Sequence, residues 1–436
     1  MKIVLTGCCA SSGVSDTNFA STGYGSRWRA CRRTFWQYFH PGVVSNYRLA
    51  QRTETTKVLA KLLESPARLR LHLRQVFSAT MLKVLYDIDV ASEDDHHVQI
   101  VDDSLEAAAL AIPGSFAVEA FPFLRHVPTW FFGANSQRLF LRSKQAKLYI
   151  KHKPFDDAQQ SVASGKLHSC VVTRMLARAS LSLGIEAASL PGDELDLLKV
   201  TCSTAFDGQP VTFSTLQGLF VALALNRHVQ EKAQAELDAV VGPHRLPCHE
   251  DTEALLYVNA TVKEVLRWHN VLPMGVPHRT VEDDVFCGYF IPAGTTVLTN
   301  VWYVPSADIL HDPDTYEKPD DFYPDRFIRD GETNQDVQDP HTIMFGFGRR
   351  KCPGRYFAND SLFITISSIL HVFNITLPLD EHGDPIKVEY RQSHGFLSYP
   401  EDIRCTVRPR SAAAEALIRN AMTGIPVGCG ESTGSR

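Results

Sequence analysis

Cys352 lies in FGFGRRKCPG (residues 345–354), a stretch with three glycines and two arginines around one sulfur. A thiolate, not a thiol, attacks carbon or binds a metal. Pro353 and Gly354 are followed by an apolar-periodic run, Tyr356 to Phe373, which predicts a helix. Proline suits a first helical turn, so the sulfur is expected at a helix N-terminus, where the dipole and free N–H groups favour a thiolate. Gly346, Gly348 and Gly354 let the backbone bend tightly and approach a flat ligand. A lone cysteine is more often a buried structural residue. Zinc binding or cysteine hydrolysis finds neither further ligands nor a general base beside Cys352. Two other pairs could do chemistry. Glu264 and Arg267 in KEVLR share one helix face, a spacing that usually marks a surface ion pair. Trp28 and Arg32 in WRACRR stand four apart, commonly a packed aromatic beside a surface charge.

The elements that must position these residues are mostly helical. Residues 47–89 repeat apolar positions at three- and four-residue spacing, and HVQEKAQAELDAVVG (228–242) is an amphipathic helix stopped by Gly242. DVFCGYFIPAGTTVLT (284–299) predicts two short strands around a Pro/Gly turn. With 436 residues the chain can bury a large core. Lys and Arg total 44 against 49 Asp and Glu, and a net charge of −5 offers no global attraction to nucleic acid. The ten cysteines are scattered without a CxxC pair and read as reduced thiols of an intracellular protein. MKIVLTGCCASSG makes no convincing signal peptide, and runs such as LQGLFVALAL (216–225) are too short for a membrane span. The last twenty or so residues read as a loose tail.

The cysteine stretch resembles, position for position, the haem-thiolate signature of the cytochrome P450 family, met by Phe345, Gly348, Arg350, Cys352 and Gly354. The resemblance implies that Cys352 is the axial ligand of haem b, that Phe345 packs beside it and that Arg350 pairs with a propionate. Three further segments agree in order. Arg326 in FYPDRF resembles the third member of the family's Glu–Arg–Arg triad, with Glu264 and Arg267, a buried set that serves folding. Trp28 and Arg32 resemble the third-helix motif that reaches the propionates. Arg279 in LPMGVPHR (272–279) resembles another propionate partner, with Leu272 to Val276 as a pocket wall. Arginine suits these tasks because its planar fork binds carboxylates bidentately. The likeness is strongest to fungal members. It divides the chain into an atypical segment 1–22, a haem-thiolate monooxygenase domain 23–410 and a tail 411–436.

Three departures stand out. Most members carry an acid and a threonine in the long central helix to relay protons during oxygen activation. In AFDGQPVTFSTLQ (205–217) those positions hold Pro210 and Val211, and Thr212 is the nearest hydroxyl, about 100° round a regular helix. Pro210 should kink that helix, and Thr212, Asp207 or a water is expected to take over the relay. Thr212 bonding a carbonyl one turn back is the plain alternative. Second, residues 1–22 look like none of the family's anchor, hinge, first helix or sheet strands, so the chain reads as N-terminally truncated, with exposed sheet edges and uncovered apolar surface. Third, residues 303–308 read as an insertion, from a longer loop or a gene-model error.

The expected fold is therefore mostly α with small β-sheets, the cytochrome P450 fold lacking its usual anchor, first helix and part of the main sheet. The implied activity is a haem-dependent monooxygenase inserting one oxygen atom from O2 into a lipophilic small molecule, in fungal secondary or xenobiotic metabolism. Electrons would come from NADPH through a P450 reductase. The resemblance also implies a monomer at the cytoplasmic face of the endoplasmic reticulum membrane. Val211 keeps a haem-thiolate isomerase, dehydratase or peroxide-driven enzyme open, and the short N-terminus a non-catalytic remnant.

Overall fold

The computed structural model describes residues 2–3, 17–90, 95–97, 99–100, 103–104, 121–130, 135–165, 169–301 and 309–423. The insertion at 303–308 lies outside the described residues. Long helices dominate: α1 (Ser26–Phe39), α2 (Arg48–Glu64), α3 (Leu69–Tyr86), α4 (Asn135–Ala163), α5 (Val171–Leu183), α6 (Gly192–Phe206) and α7 (Gln209–Leu225). They continue with α8 (Arg227–Val240), α9 (Leu256–Trp268), α10 (Arg355–Val372) and α11 (Ala412–Met422). No described helix is long and apolar enough to cross a membrane.

Two apolar clusters hold the helices together. In one, Leu59, Leu73, Leu219, Phe220, Leu223, Val265, Ile366 and Phe373 join α2, α3, α7, α9 and α10. In the other, Trp28, Phe35, Leu82, Phe155, Met175 and Phe206 join α1 and α3 to α4, α5 and α6. Helix α7 is buried along nearly its whole length, its polar Gln209, Thr212, Ser214, Thr215 and Gln217 included, as befits a central helix. Gly218 on α7 leaves room for the His269 ring, because a Cβ there would come within 2.4 Å of it.

The strands are short and antiparallel. β1 (Lys2–Ile3) pairs with β2 (His278–Arg279), and β2 with β5 (Thr296–Val297), placing Lys2 and Thr296 on either side of Arg279. β3 (Asp284–Phe286) and β4 (Tyr289–Ile291) form a hairpin. Its turn is Cys287–Gly288, both at positive φ, and not the expected Pro/Gly turn. The Pro292–Gly294 turn instead carries the chain from β4 into β5, in a different sheet. Val285, Phe286, Tyr289 and Phe290 on the hairpin are mostly exposed, an uncovered apolar patch. Two further pairs are β6 (Ile328–Arg329) with β7 (Glu332–Thr333), and β8 (Phe373–Thr376) with β9 (Thr406–Pro409).

Both chain ends differ from the sequence-based expectation. β1 supplies a strand, and Thr17 and Phe19 are buried, the Phe19 N–H donating to Thr204 Oγ1 at 3.0 Å. The expected tail opens with α11, which Ser411 caps by accepting the Ala414 N–H. Leu417 and Ile418 of α11 are buried against α2 and α10, because the helix is amphipathic.

Candidate functional site

The Cys352 loop begins where the one-turn helix His341–Met344 ends. Gly346 (φ 73°) and Gly348 (φ 55°) both adopt the left-handed conformation, and a Cβ on either would enter open space. The Cys352 N–H donates to the Phe345 carbonyl at 2.7 Å and closes the loop. Helix α10 starts only at Arg355, so Cys352 and Pro353 precede it and do not occupy its first turn. The sulfur still meets helix-end polarity. Burial pushes the Cys352 thiol up, while the Gly354 N–H, the charges of Arg32 and Arg355, and the Arg355 N–H pull the other way. Arg355 also donates to the Cys352 carbonyl at 2.8 Å. The Phe345 ring stacks on His341 at 5.6 Å.

Cations gather beside this loop. Arg32, one turn beyond Trp28 on α1, donates to the Lys351 carbonyl at 2.5 Å. Arg350 lies 4.4 Å over the Trp28 ring and donates to the Thr22 carbonyl at 2.9 Å. Its Nε and Nη1 are buried without a hydrogen-bond partner among the described residues. Burial, and then the neighbouring Arg32, push Arg350 down to about 10. Arg279 on β2 donates to the Gly294 carbonyl at 2.9 Å, and the adjacent His278 is within electrostatic reach of Arg350. Among the described residues, no carboxylate pairs with Arg32, Arg279 or Arg350.

The triad residues are assembled on a different wall. Glu264 and Arg267, both fully buried on α9, meet bidentately at 2.8 and 2.9 Å. Arg326 reaches the same carboxylate at 3.2 Å, and the Tyr323 N–H donates to it at 2.7 Å. Both guanidiniums spend their remaining N–H groups on backbone carbonyls, Arg267 on Leu310 and Asp321, Arg326 on Glu317 and Lys318. This set ties α9 to the 310–326 segment and touches neither Cys352 nor the unpaired arginines.

The expected disturbance at Pro210 coincides with an interruption between two helices. Helix α6 ends at Phe206, Asp207 and Gly208 turn, and α7 restarts at Gln209, which puts Pro210 in a first turn where a missing N–H loses nothing. Thr212 is buried, and its hydroxyl makes no hydrogen bond to the carbonyl one turn back or to any other described residue. Asp207 accepts from Asn18 Nδ2 at 2.8 Å.

The "Cytochrome P450" family profile matches residues 10–406. Cytochrome P450 monooxygenase COX2 of Coprinopsis cinerea is 38% identical over 402 residues, covering 91% of this chain and 74% of the relative. COX1 of the same fungus is 36% identical over 417 residues, covering 93% and 77%. Tryptamine 4-monooxygenase of Psilocybe cyanescens is 33% identical over 398 residues, covering 89% and 75%. The chain belongs to the cytochrome P450 family.

It is a P450-type monooxygenase, an oxidoreductase, and the P450 family implies haem with thiolate ligation. The residues fit such a group. Arg32 and Arg350, half-buried with no carboxylate partner among the described residues, the latter with two orphaned buried nitrogens, suit a cofactor that brings its own carboxylates, while Arg279 is exposed to solvent. Gly346 and Gly348 keep side chains clear of a flat ring beside Cys352. The family match starts at residue 10, well before the expected boundary at 23. Sequence reasoning missed Asn18 and Thr22, which join the site through long-range hydrogen bonds without a motif. It also missed His269, fully buried, whose Nε2 meets Ser214 Oγ at 2.9 Å and whose Nδ1 meets Tyr390 Oη at 2.8 Å.

Proposed function

We propose that Cys352 ligates haem b iron through its thiolate, that Arg32, Arg279 and Arg350 hold the propionates, and that the enzyme hydroxylates a lipophilic small molecule. The reading is supported by one observation: Arg32 and Arg350 converge beside a cysteine, and among the described residues no carboxylate neutralises them. Bound there, haem supplies activation of O2 and transfer of one oxygen atom. Trp28 supports Arg350 from below by cation–π contact. Phe345, Gly348 and Gly354 shape the loop that presents the sulfur. An iron held at Cys352 would displace the thiol proton and offset the burial penalty on the thiolate. Thr212, buried and without an internal partner, holds a hydroxyl available to pass protons or order a water.

Electrons come from NADPH through a P450 reductase. Exposed Arg29, Arg33 and Trp36 line a groove of about 300 Å³ with Arg32 and Trp28, a basic and aromatic surface suited to an acidic flavoprotein. The substrate is an apolar metabolite of fungal secondary or xenobiotic metabolism, and the enzyme works as a monomer at the endoplasmic reticulum membrane, as the family resemblance implies. Since one relative is named for tryptamine, that amine belongs in a first substrate panel beside terpenoid and fatty probes. The test is the reduced, carbon-monoxide-bound spectrum of purified protein. The shifted thiolate band is expected in the wild type and lost in Cys352→Ser. A wild type without that band overturns the assignment and leaves a remnant.

Val211, in place of the relay alcohol, favours a second reading: a haem-thiolate isomerase, dehydratase or peroxide-driven enzyme. Turnover that depends on reductase and NADPH separates the two. Thr212→Ala should raise peroxide release in the first case and change nothing in the second.

A further inference from the structure

Between α6 and α7 the backbone breaks at Asp207–Gly208, and near it lie buried polar groups that no described residue satisfies. Tyr86 Oη at the end of α3, Ser203 Oγ on α6 and both amide atoms of Gln209 at the start of α7 are buried without hydrogen-bond partners. Ser203 stands one turn before Asp207 on the same helix face. Tyr86 and the buried Lys147 of α4 both lie within electrostatic reach of Asp207. Buried polar groups in such numbers are normally bridged by ordered water.

The carboxyl itself is held in place. Asn18 donates to Asp207 Oδ2 at 2.8 Å. Four residues further along the same segment, the Thr22 carbonyl accepts from Arg350. Residues 18–22 therefore run from the helix break to the cationic cluster beside Cys352. Asp207 also stands four positions before Val211, where the family's alcohol is missing, on the far side of the break between α6 and α7. Pro210, which takes the acid's position, cannot titrate.

We propose that Asp207 is the proton-donating carboxyl of this enzyme, displaced upstream of the usual pair to the helix break, and that Tyr86, Ser203 and Gln209 line the water path that reprotonates it. Monooxygenation consumes one substrate C–H group, one O2, two protons and two electrons and returns one alcohol C–OH and one water; the electrons come from the NADPH-reduced flavoprotein. Asp207 gives up its proton and takes another from solvent, so it is unchanged over a cycle. Burial raises the proton affinity of Asp207, while Lys147 and the Asn18 amide oppose this. The other titratable groups facing the cluster are the Tyr86 phenol and the Cys170 and Cys202 thiols, with burial pushing both the phenol and the Cys202 thiol up.

The inference rests on the haem-thiolate reading, and the experiment separates their failures. Haem-loaded full-length protein is reduced by NADPH and a P450 reductase, and the share of consumed O2 released as hydrogen peroxide is measured. Asp207→Asn should keep the shifted carbon monoxide band yet release several-fold more peroxide, with Asp207→Glu restoring most of the coupling. Asp207→Asn combined with Thr212→Ala should be no worse than Asp207→Asn alone, since both lie on one route. A retained band with an unchanged peroxide share overturns the role of Asp207. A wild type without the band overturns the haem assignment instead. Infrared titration of haem-free protein gives an independent readout: a carboxylic-acid band titrating above the usual aspartate range, removed by Asp207→Asn and moved by Tyr86→Phe or Asp207→Glu. If none of these variants alters that band, the proposal falls.

Discussion

Glu264→Gln keeps the shape of the side chain and removes its charge. In the wild type this carboxylate receives two bonds from Arg267 at 2.8 and 2.9 Å, the Tyr323 N–H at 2.7 Å and the Arg326 charge at 3.2 Å. Arg267 is 0% exposed and Arg326 6%, so neither guanidinium can turn to water once the anion is gone. The glutamine amide also points donors at groups that are themselves donors. Removing one partner of a buried ion pair typically destabilises by about 3–5 kcal/mol. Against a total stability of roughly 5–15 kcal/mol for a folded domain, that is a large fraction. Urea unfolding followed by tryptophan fluorescence measures it directly, and Glu415→Gln in the exposed Arg419 pair provides a control expected to lose under about 0.5 kcal/mol. Glu264→Leu with Arg267→Met and Arg326→Met should recover only part of the loss, because the Leu310, Asp321, Glu317 and Lys318 carbonyls would lose their donors. A Glu264→Gln midpoint within error of wild type would refute the view that this charge balances two buried cations.

Burial pushes His269 down to about 3, so it stays neutral in the fold while the unfolded chain protonates near pH 6.5. Its contribution is complete above pH 6.5 and is lost as pH falls toward 3; at pH 5 the loss is about 2 kcal/mol. His249, pushed down to about 4 chiefly by burial and then by Arg48, adds a similar loss over the same range. Urea midpoints at pH 8 and pH 5 check both, and His269→Gln should flatten the difference by about half. Gly218→Ala would bring a Cβ within 2.4 Å of the His269 ring and should destabilise by about 1–3 kcal/mol; a neutral result would mean that the ring shifts freely. Arg350→Met should release haem more readily to apomyoglobin, because the Trp28-supported guanidinium is lost, whereas exposed Arg349→Met should not.

Local spacing carried much of this protein. The Cys352 loop is legible because its glycines, arginine and sulfur act within ten residues, where backbone bend and side-chain reach follow directly from residue type. Glu264 and Arg267 are legible for the same reason, being three apart on one helix. Helix periodicity found α8 and α10 to within a residue or two at their ends.

Other features required the fold. Pro210 announced a disturbance in sequence, but whether the helix bends or ends depends on what α3, α4 and residues 17–22 pack against it. The 411–436 segment looked like a tail because a single amphipathic turn or two is weak evidence, until α2 and α10 offered Leu417 and Ile418 a surface to cover. Asn18 meets Asp207 across 189 residues and Arg350 meets Thr22 across 328, separations at which no periodicity or motif survives. Residue type determined which groups could ligate, carry charge or donate a proton. Which of them stand together, and which buried cations lack a carboxylate, was decided only when burial removed water as the alternative partner.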